Sequence, residues 1–117
     1  MIPSSSLLLI LTRTHALLTQ GWCQHEYACR ADGSGVTILS PDAARWSLAG
    51  ALSMSLHEHQ RGMQFPSLMG LLRPHLPAGQ SDPETWQDLP TTTQADVLAL
   101  VTRAMAAEEQ TIPGVHA

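Results

Sequence analysis

The chain has 117 residues, of which 44% are hydrophobic and 14% charged, a balance that indicates one globular domain and excludes a disordered chain. Its formal net charge is −4 and its basic residues are scattered singly, which disfavours direct nucleic-acid binding. Lysine is absent, so Schiff-base and P-loop chemistry are excluded. No apolar run approaches the ~18 residues of a membrane span, and no signal-peptide pattern is found. We therefore expect a cytoplasmic, acidic protein without a membrane partner, with Cys23 and Cys29 as reduced thiols.

The first part of the chain predicts a helix followed by a less regular segment. Apolar residues recur at helical spacing from about Ser6 to Thr19, and Gly21 is a natural stop. The turn cluster at 31–35 separates two short flanking pieces, Glu26 to Arg30 and Val36 to Leu39. These pieces pair as a short β-hairpin, or else the segment is an irregular loop.

The stretch Ser40 to His59 predicts the central helix of the domain. Ser40 serves as the N-cap, Pro41 occupies the first helical position, and Leu48, Leu52 and Leu56 share one face. Gly50 costs about 1 kcal/mol of helix propensity relative to alanine, which indicates a close packing contact.

Two further helices complete the prediction. Pro66 begins a third helix that ends before Pro74, and Glu84 to Asp88 forms one helical turn. The last helix follows Thr91 to Thr93, with a capping box formed by Thr93 and Asp96 or by Thr91 and Gln94. The fold class is thus mainly α: a compact four-helix single domain over 1–117, with an ordered core at about 6–109 and a flexible tail at 110–117.

Three ordered motifs resemble a known family. They are Gly21-Trp22-Cys23, the run from Ala44 to Leu52 that contains Trp46-Ser47-Leu48 and Gly50-Ala51, and Trp86-Gln87-Asp88. Together they resemble a small domain family of unknown function found mostly in actinobacteria and their phages. The resemblance implies a fold but no activity. Relatives usually carry cysteine at position 47 and asparagine at position 87. Because serine stands at position 47 here, the comparison argues against an essential thiol pair in this chain.

Two kinds of site can be built from these residues. Cys23 and His25 can act as thiolate and base with Asp88 as the orienting carboxylate, while burial of Cys23 is the competing interpretation. Cys23, His25 and Cys29 also have metal-compatible types, but the paired spacing of structural zinc modules is missing, so no metal and no cofactor is expected.

Binding residues are expected among the tryptophans and beside them. Trp22, Trp46 and Trp86 can line a ligand pocket with Asp88, or they fill the core, with Trp86 as the partly exposed one.

The preferred functional hypothesis is a small intracellular protein-binding or regulatory module of bacterial origin. A phage or mobile-element accessory that modulates a host factor is one form of it. The alternatives are a cysteine-centred enzyme using Cys23, His25 and Asp88, and a structural homodimer. A flat apolar patch favours binding, whereas a concave pocket around those three residues favours catalysis.

Overall fold

The two segments that the structure describes, residues 4–59 and 65–110 of a computed structural model, form five α-helices and a small sheet. The elements in order are α1 (Ser4–Gln20), β1 (Ala28–Cys29), β2 (Gly35–Val36), β3 (Arg45–Trp46), α2 (Leu48–His59), α3 (Phe65–Leu72), a 3-10 turn (Arg73–His75), α4 (Pro83–Gln87) and α5 (Gln94–Glu109). The mainly α class is confirmed. The predicted flexible tail lies outside the described residues from residue 111 onwards.

The helix α1 lies at the centre of the fold, because it packs most extensively against α5 and α2. It contributes four fully buried apolar side chains, Ile10, Leu11, Leu17 and Leu18. Burial of each such side chain stabilises the fold by about 2 kcal/mol. The core is completed from the other helices by Leu48, Leu52, Leu68, Leu72, Val97, Leu100 and Val101. The central helix is therefore the first one, and not the segment 40–59 that the sequence analysis favoured.

Two polar side chains tie the neighbouring helices to the backbone of α1. The hydroxyl of Ser55, fully buried in α2, donates to the Ile10 carbonyl at 2.8 Å. The amide of Gln94, at the start of α5, donates to the Leu18 carbonyl at 2.7 Å. The second contact satisfies a carbonyl in the last turn of α1, where no partner within the helix is available.

The short β-hairpin is confirmed, and a third strand joins it. Strand order is β2-β1-β3, all antiparallel, with Ala28 opposite Val36 on one side and opposite Trp46 on the other. The segment after α1 also pairs with β3, since the Trp46 amide donates to the Gly21 carbonyl at 3.0 Å. The sheet thus joins the end of α1 to the start of α2.

The predicted helix over Ser40 to His59 is wrong in its first eight residues. The Ser40 hydroxyl accepts from the Asp42 amide at 3.1 Å, in a turn that lies beside β1, where the Ala44 amide donates to the Cys29 carbonyl at 2.8 Å. Serine followed by proline favours a turn as strongly as it favours a helix start, so the local pattern was ambiguous. Pairing of β3 with β1 decided the outcome, because it buries the Trp46 side chain.

The other helices agree with the prediction. The Thr93 hydroxyl accepts from the Asp96 amide at 3.2 Å, and the Asp96 carboxylate accepts from the Thr93 amide at 2.9 Å. This is the capping box expected from the sequence. The third helix begins one residue earlier, at Phe65, and none of the described helices is long and apolar enough to cross a membrane.

Two glycines allow backbone segments to approach closely. A side chain at Gly50 would overlap the Tyr27 carbonyl, and one at Gly21 would overlap the Ala44 carbonyl. Gly50 is therefore required by the loop that precedes β1, which confirms the packing reason inferred from its place in a helix.

We expect Gly50→Ala to destabilise the protein by at least about 2 kcal/mol, because overlap with the Tyr27 carbonyl outweighs the gain of ~1 kcal/mol in helix propensity. The matched control is Gly70→Ala in α3, where a new Cβ meets no atom within 4 Å. The control should gain up to about 1 kcal/mol. Urea unfolding of both variants measures the difference, and a gain of stability in both would contradict the close approach.

Candidate functional site

The three sequence motifs meet at the side chain of Gln87, which is 2% exposed. Its Oε1 accepts from the Trp22 indole at 2.6 Å and from the Leu48 amide at 2.9 Å. Its Nε2 donates to the Cys23 carbonyl at 3.2 Å and to Asp88 Oδ1 at 2.8 Å. Both lone pairs and both N–H groups of the amide are in use. Gln87 therefore joins α4, the segment after α1 and the start of α2.

The short helix α4 places Gln87 at this point. Asp82 caps the helix, accepting from the Thr85 amide at 3.3 Å and hydroxyl at 2.6 Å. The hydrogen bond from the Thr85 hydroxyl lowers the pKa of Asp82, so the cap stays ionised. Pro83 follows the cap without an amide hydrogen to satisfy, and the Thr92 hydroxyl closes the other end by donating to the Trp86 carbonyl at 2.7 Å.

A second set of contacts fixes the loop from Cys23 to Tyr27, here called the 23–27 loop. The Gln24 amide donates to the carbonyls of Gln87 at 3.0 Å and Leu89 at 2.8 Å. The His25 amide donates to Asp88 Oδ1 at 3.0 Å. His25 adopts a left-handed backbone conformation, with φ of 71°, which is uncommon for any residue but glycine. The loop thus has one defined shape.

The 23–27 loop borders a small cleft, here called the acidic cleft, lined by His25, Glu26, Tyr27, Ser47, Ala49, Glu84, Gln87 and Asp88. Its volume is about 60 Å³, well below the ~300 Å³ at which small-molecule sites begin. Three carboxylates and an exposed tyrosine surround it. The cleft has room for the end of one side chain, and not for a metabolite.

The structure does not assemble Cys23, His25 and Asp88 as a catalytic triad. The Cys23 thiol points to the Glu26 carbonyl at 3.8 Å, and no hydrogen bond among the described residues joins it to His25. His25 Nδ1 lies 4.0 Å from Asp88 Oδ2, and 73% of the His25 side chain is exposed. Burial, followed by the neighbouring Cys29 thiol, raises the pKa of Cys23 to about 12. The thiol is therefore protonated at neutral pH and a poor nucleophile.

The histidines of the second half of α2 do not gather into a site either. His59 Nδ1 bonds the Ser55 carbonyl at 2.7 Å, and Glu58 pairs with Arg13 at 2.7 Å. Within the described segments, no group of three or more His, Cys, Asp or Glu side chains has a geometry that could hold a metal ion.

The three tryptophans mainly serve packing. Trp46 and Trp86 are each 5% exposed, while Trp22 is partly exposed and its N–H is held by Gln87. The expectation that Trp86 is the partly exposed one is wrong, because α4 turns it into the core. Trp46 Nε1 is buried without a hydrogen-bond partner among the described residues. Of the four residues expected to bind a ligand, Asp88 borders the acidic cleft and Trp86 lines a second concave surface beside α5.

Two residues of the site escaped the sequence analysis. Gln87 was noted for differing from asparagine in relatives, yet its role depends on contacts with segments 39 and 65 residues away. Ser47 is the true N-cap of α2, since its hydroxyl accepts from the Gly50 amide at 3.1 Å. The sequence signal for Ser47 was a serine at the start of a helical pattern, where its hydroxyl can accept from the amide three residues later. The signal at Ser40 was stronger.

The chain is thus a small, mainly α domain whose three motifs form a saturated hydrogen-bond centre beside an acidic cleft. A model described as "Family of unknown function (DUF6197)" matches residues 3–107, and the chain belongs to this family. No curated protein and no solved structure matches the chain.

We expect Cys23 to react about a thousandfold more slowly with iodoacetamide at pH 8 in the folded than in the unfolded protein, because a pKa near 12 leaves ~0.01% thiolate. Peptide mass spectrometry distinguishes Cys23 from Cys29, and the protein in guanidinium chloride is the reference. Equal rates in the two states would contradict the raised pKa, and a faster reaction in the folded protein would show an activated thiol and support catalysis.

We expect Gln87→Met to cost about 3 kcal/mol or more, since it removes partners from a buried amide, an indole N–H and a carbonyl at similar volume. The control is Gln20→Met at the exposed end of α1, expected within about 0.5 kcal/mol of the parent. The free energy of unfolding in urea is the measurement, and a loss below ~1 kcal/mol at position 87 would contradict the role of this centre.

Proposed function

We propose that the protein is a non-catalytic binding module that recognises a basic segment of a partner protein at the acidic cleft. The observation that carries this proposal is the fixed 23–27 loop, which holds the exposed side chains of His25 and Tyr27 beside three carboxylates. The cleft is the size of a side-chain end, such as a guanidinium or an ammonium group.

Rigid presentation supports recognition. The loop is tied to α4 by Gln24 and by the His25 amide, and to α2 by the bond from the Ser47 amide to the Tyr27 carbonyl at 3.1 Å. Little conformational entropy is then lost when a partner binds. Tyr27 is 49% exposed, and tyrosine offers a large contact area with few rotatable bonds.

Charge supports a basic partner. Glu26, Glu84 and Asp88 border the cleft, and no arginine of the described segments lines it. The whole chain carries a formal charge of −4, so the general field has the same sign. Such complementarity speeds association and selects against acidic partners.

Because the Cys23 thiol is protonated at neutral pH, the cysteine-centred enzyme has less support than the binding module. A role as a phage or mobile-element accessory that modulates a host factor is consistent with a small binding module and is part of the same proposal. The structural homodimer is the remaining alternative, and the experiment below separates it.

The test is photo-crosslinking from position 27. A photoreactive benzoylphenylalanine replaces Tyr27, and in a control it replaces Leu9, which is 52% exposed on α1. In a lysate of the source organism we expect position 27 to crosslink to an arginine- or lysine-rich segment, identified by mass spectrometry, and position 9 not to do so. Charge reversal by Glu84→Lys should reduce the adduct at least about fivefold, because it replaces a carboxylate of the cleft with a positive charge. Addition of 0.5 M salt should have an effect of the same size, because salt shortens the electrostatic screening length.

Three outcomes would contradict the proposal. They are equal adducts from positions 27 and 9, an adduct that Glu84→Lys does not weaken, and an adduct of twice the mass of the chain. The last result would identify a homodimer.

A further inference from the structure

A second concave surface lies on the other side of α4, between the loop at 77–80, the connection from α4 to α5, and one face of α5. We call it the α5 groove. Its volume is about 330 Å³, within the ~300–1,000 Å³ range of small-molecule sites and several times that of the acidic cleft. None of the described residues lines both surfaces, so the α5 groove is separate from the proposed protein contact.

The apolar part of the α5 groove is built around Trp86. This side chain is 5% exposed, and its indole N–H makes no hydrogen bond to another described residue, in contrast to that of Trp22. Pro77, Leu89 and Ala99 line the groove with it. A flat apolar group is the natural complement to an aromatic ring in such a setting.

The charged part of the α5 groove is Arg103. Its Nε and Nη2 donate to the His75 carbonyl at 3.2 and 2.8 Å, which fixes the plane of the guanidinium. Among the described residues, the remaining N–H groups, including both on Nη1, have no hydrogen-bond acceptor and can serve another one. A guanidinium held in place is well suited to bind a carboxylate, because less side-chain entropy is lost on binding.

One other charged residue is found among the described residues that line the α5 groove, Asp96. Its carboxylate already accepts from the Thr93 amide in the capping box. It lies seven residues before Arg103, which is about 10 Å along the helix axis. The two ends of the groove therefore differ in charge, and an anionic group is favoured at the Arg103 end.

We propose that the α5 groove binds a small organic carboxylate, with its flat apolar body against Trp86 and its carboxylate paired with Arg103. The charge at Arg103 and the aromatic surface at Trp86 act on different parts of the ligand. Loss of the charge at Arg103 should weaken binding without abolishing the fold, whereas Trp86 is also part of the core.

The test compares two probes of nearly equal shape, 3-phenylpropionate and 3-phenylpropanamide, which differ in charge. Titration of the ¹⁵N-labelled full chain is followed by NMR, at the Trp86 indole and Arg103 Nε signals. We expect 3-phenylpropionate to bind with a Kd of the order of 1 mM, as suits a fragment of its size, and the amide to bind at least about tenfold more weakly. The shifts should be largest at Trp86 and Arg103.

Variants assign the effect to the charge. Arg103→Gln should reduce binding of 3-phenylpropionate to that of the amide, and Arg103→Lys should give an intermediate Kd because it keeps the charge but not the fork. The control Arg45→Gln changes an exposed residue of β3 that does not line the α5 groove, and this variant should bind as the parent does. The spectrum of each variant shows whether it is folded.

Equal affinity for the acid and the amide would overturn the proposal. So would shifts that map elsewhere, acid binding that survives Arg103→Gln in a folded variant, or the absence of saturable binding of either probe up to 20 mM, about twenty times the expected Kd. None of these results bears on the acidic cleft, so the two proposals fail separately.

Discussion

The hydrogen bonds of one buried amide, that of Gln87, determine how three separate parts of the chain meet. An amide side chain has two donors and two acceptor positions, and here all four are used by groups on different segments. Because each bond has its own direction, the segment after α1, the start of α2 and the end of α4 have one mutual arrangement. Apolar contacts alone would be less selective, since they have no preferred direction.

The same constraint shapes the surface. Asp88 follows Gln87 in the chain, and its Oδ1 receives both the Gln87 amide and the His25 backbone amide. One shared oxygen atom, Asp88 Oδ1, therefore connects the buried Gln87 amide to the 23–27 loop. A change in the interior at position 87 would be felt at the acidic cleft, although Gln87 itself is 2% exposed.

Much of the helical fold could be predicted from the sequence, because helix periodicity and capping are local. The capping box at Thr93 and Asp96, the short hairpin and the close contact at Gly50 could all be inferred from residues that are close together in the sequence. The start of α2 was not, because Ser40-Pro41-Asp42 suits a turn and a helix equally. Long-range pairing of β3 with β1 made the choice. Gln87 was missed for a similar reason: its partners at Trp22 and Leu48 are distant in sequence, and no local pattern reports a contact of that kind.

The backbone of His25 has a consequence for how this surface is maintained. At a φ of 71°, any residue with a side chain bears a backbone strain of about 1 kcal/mol that a glycine would not. The protein thus gives up some stability to hold an imidazole at the rim of the cleft, in a side chain that is 73% exposed and adds little to the core. In the proposed binding module, this imidazole would contact the partner. If the acidic cleft binds a partner as proposed, stability and recognition would be opposed at residue 25, and a variant that gains thermal resistance there would bind less tightly.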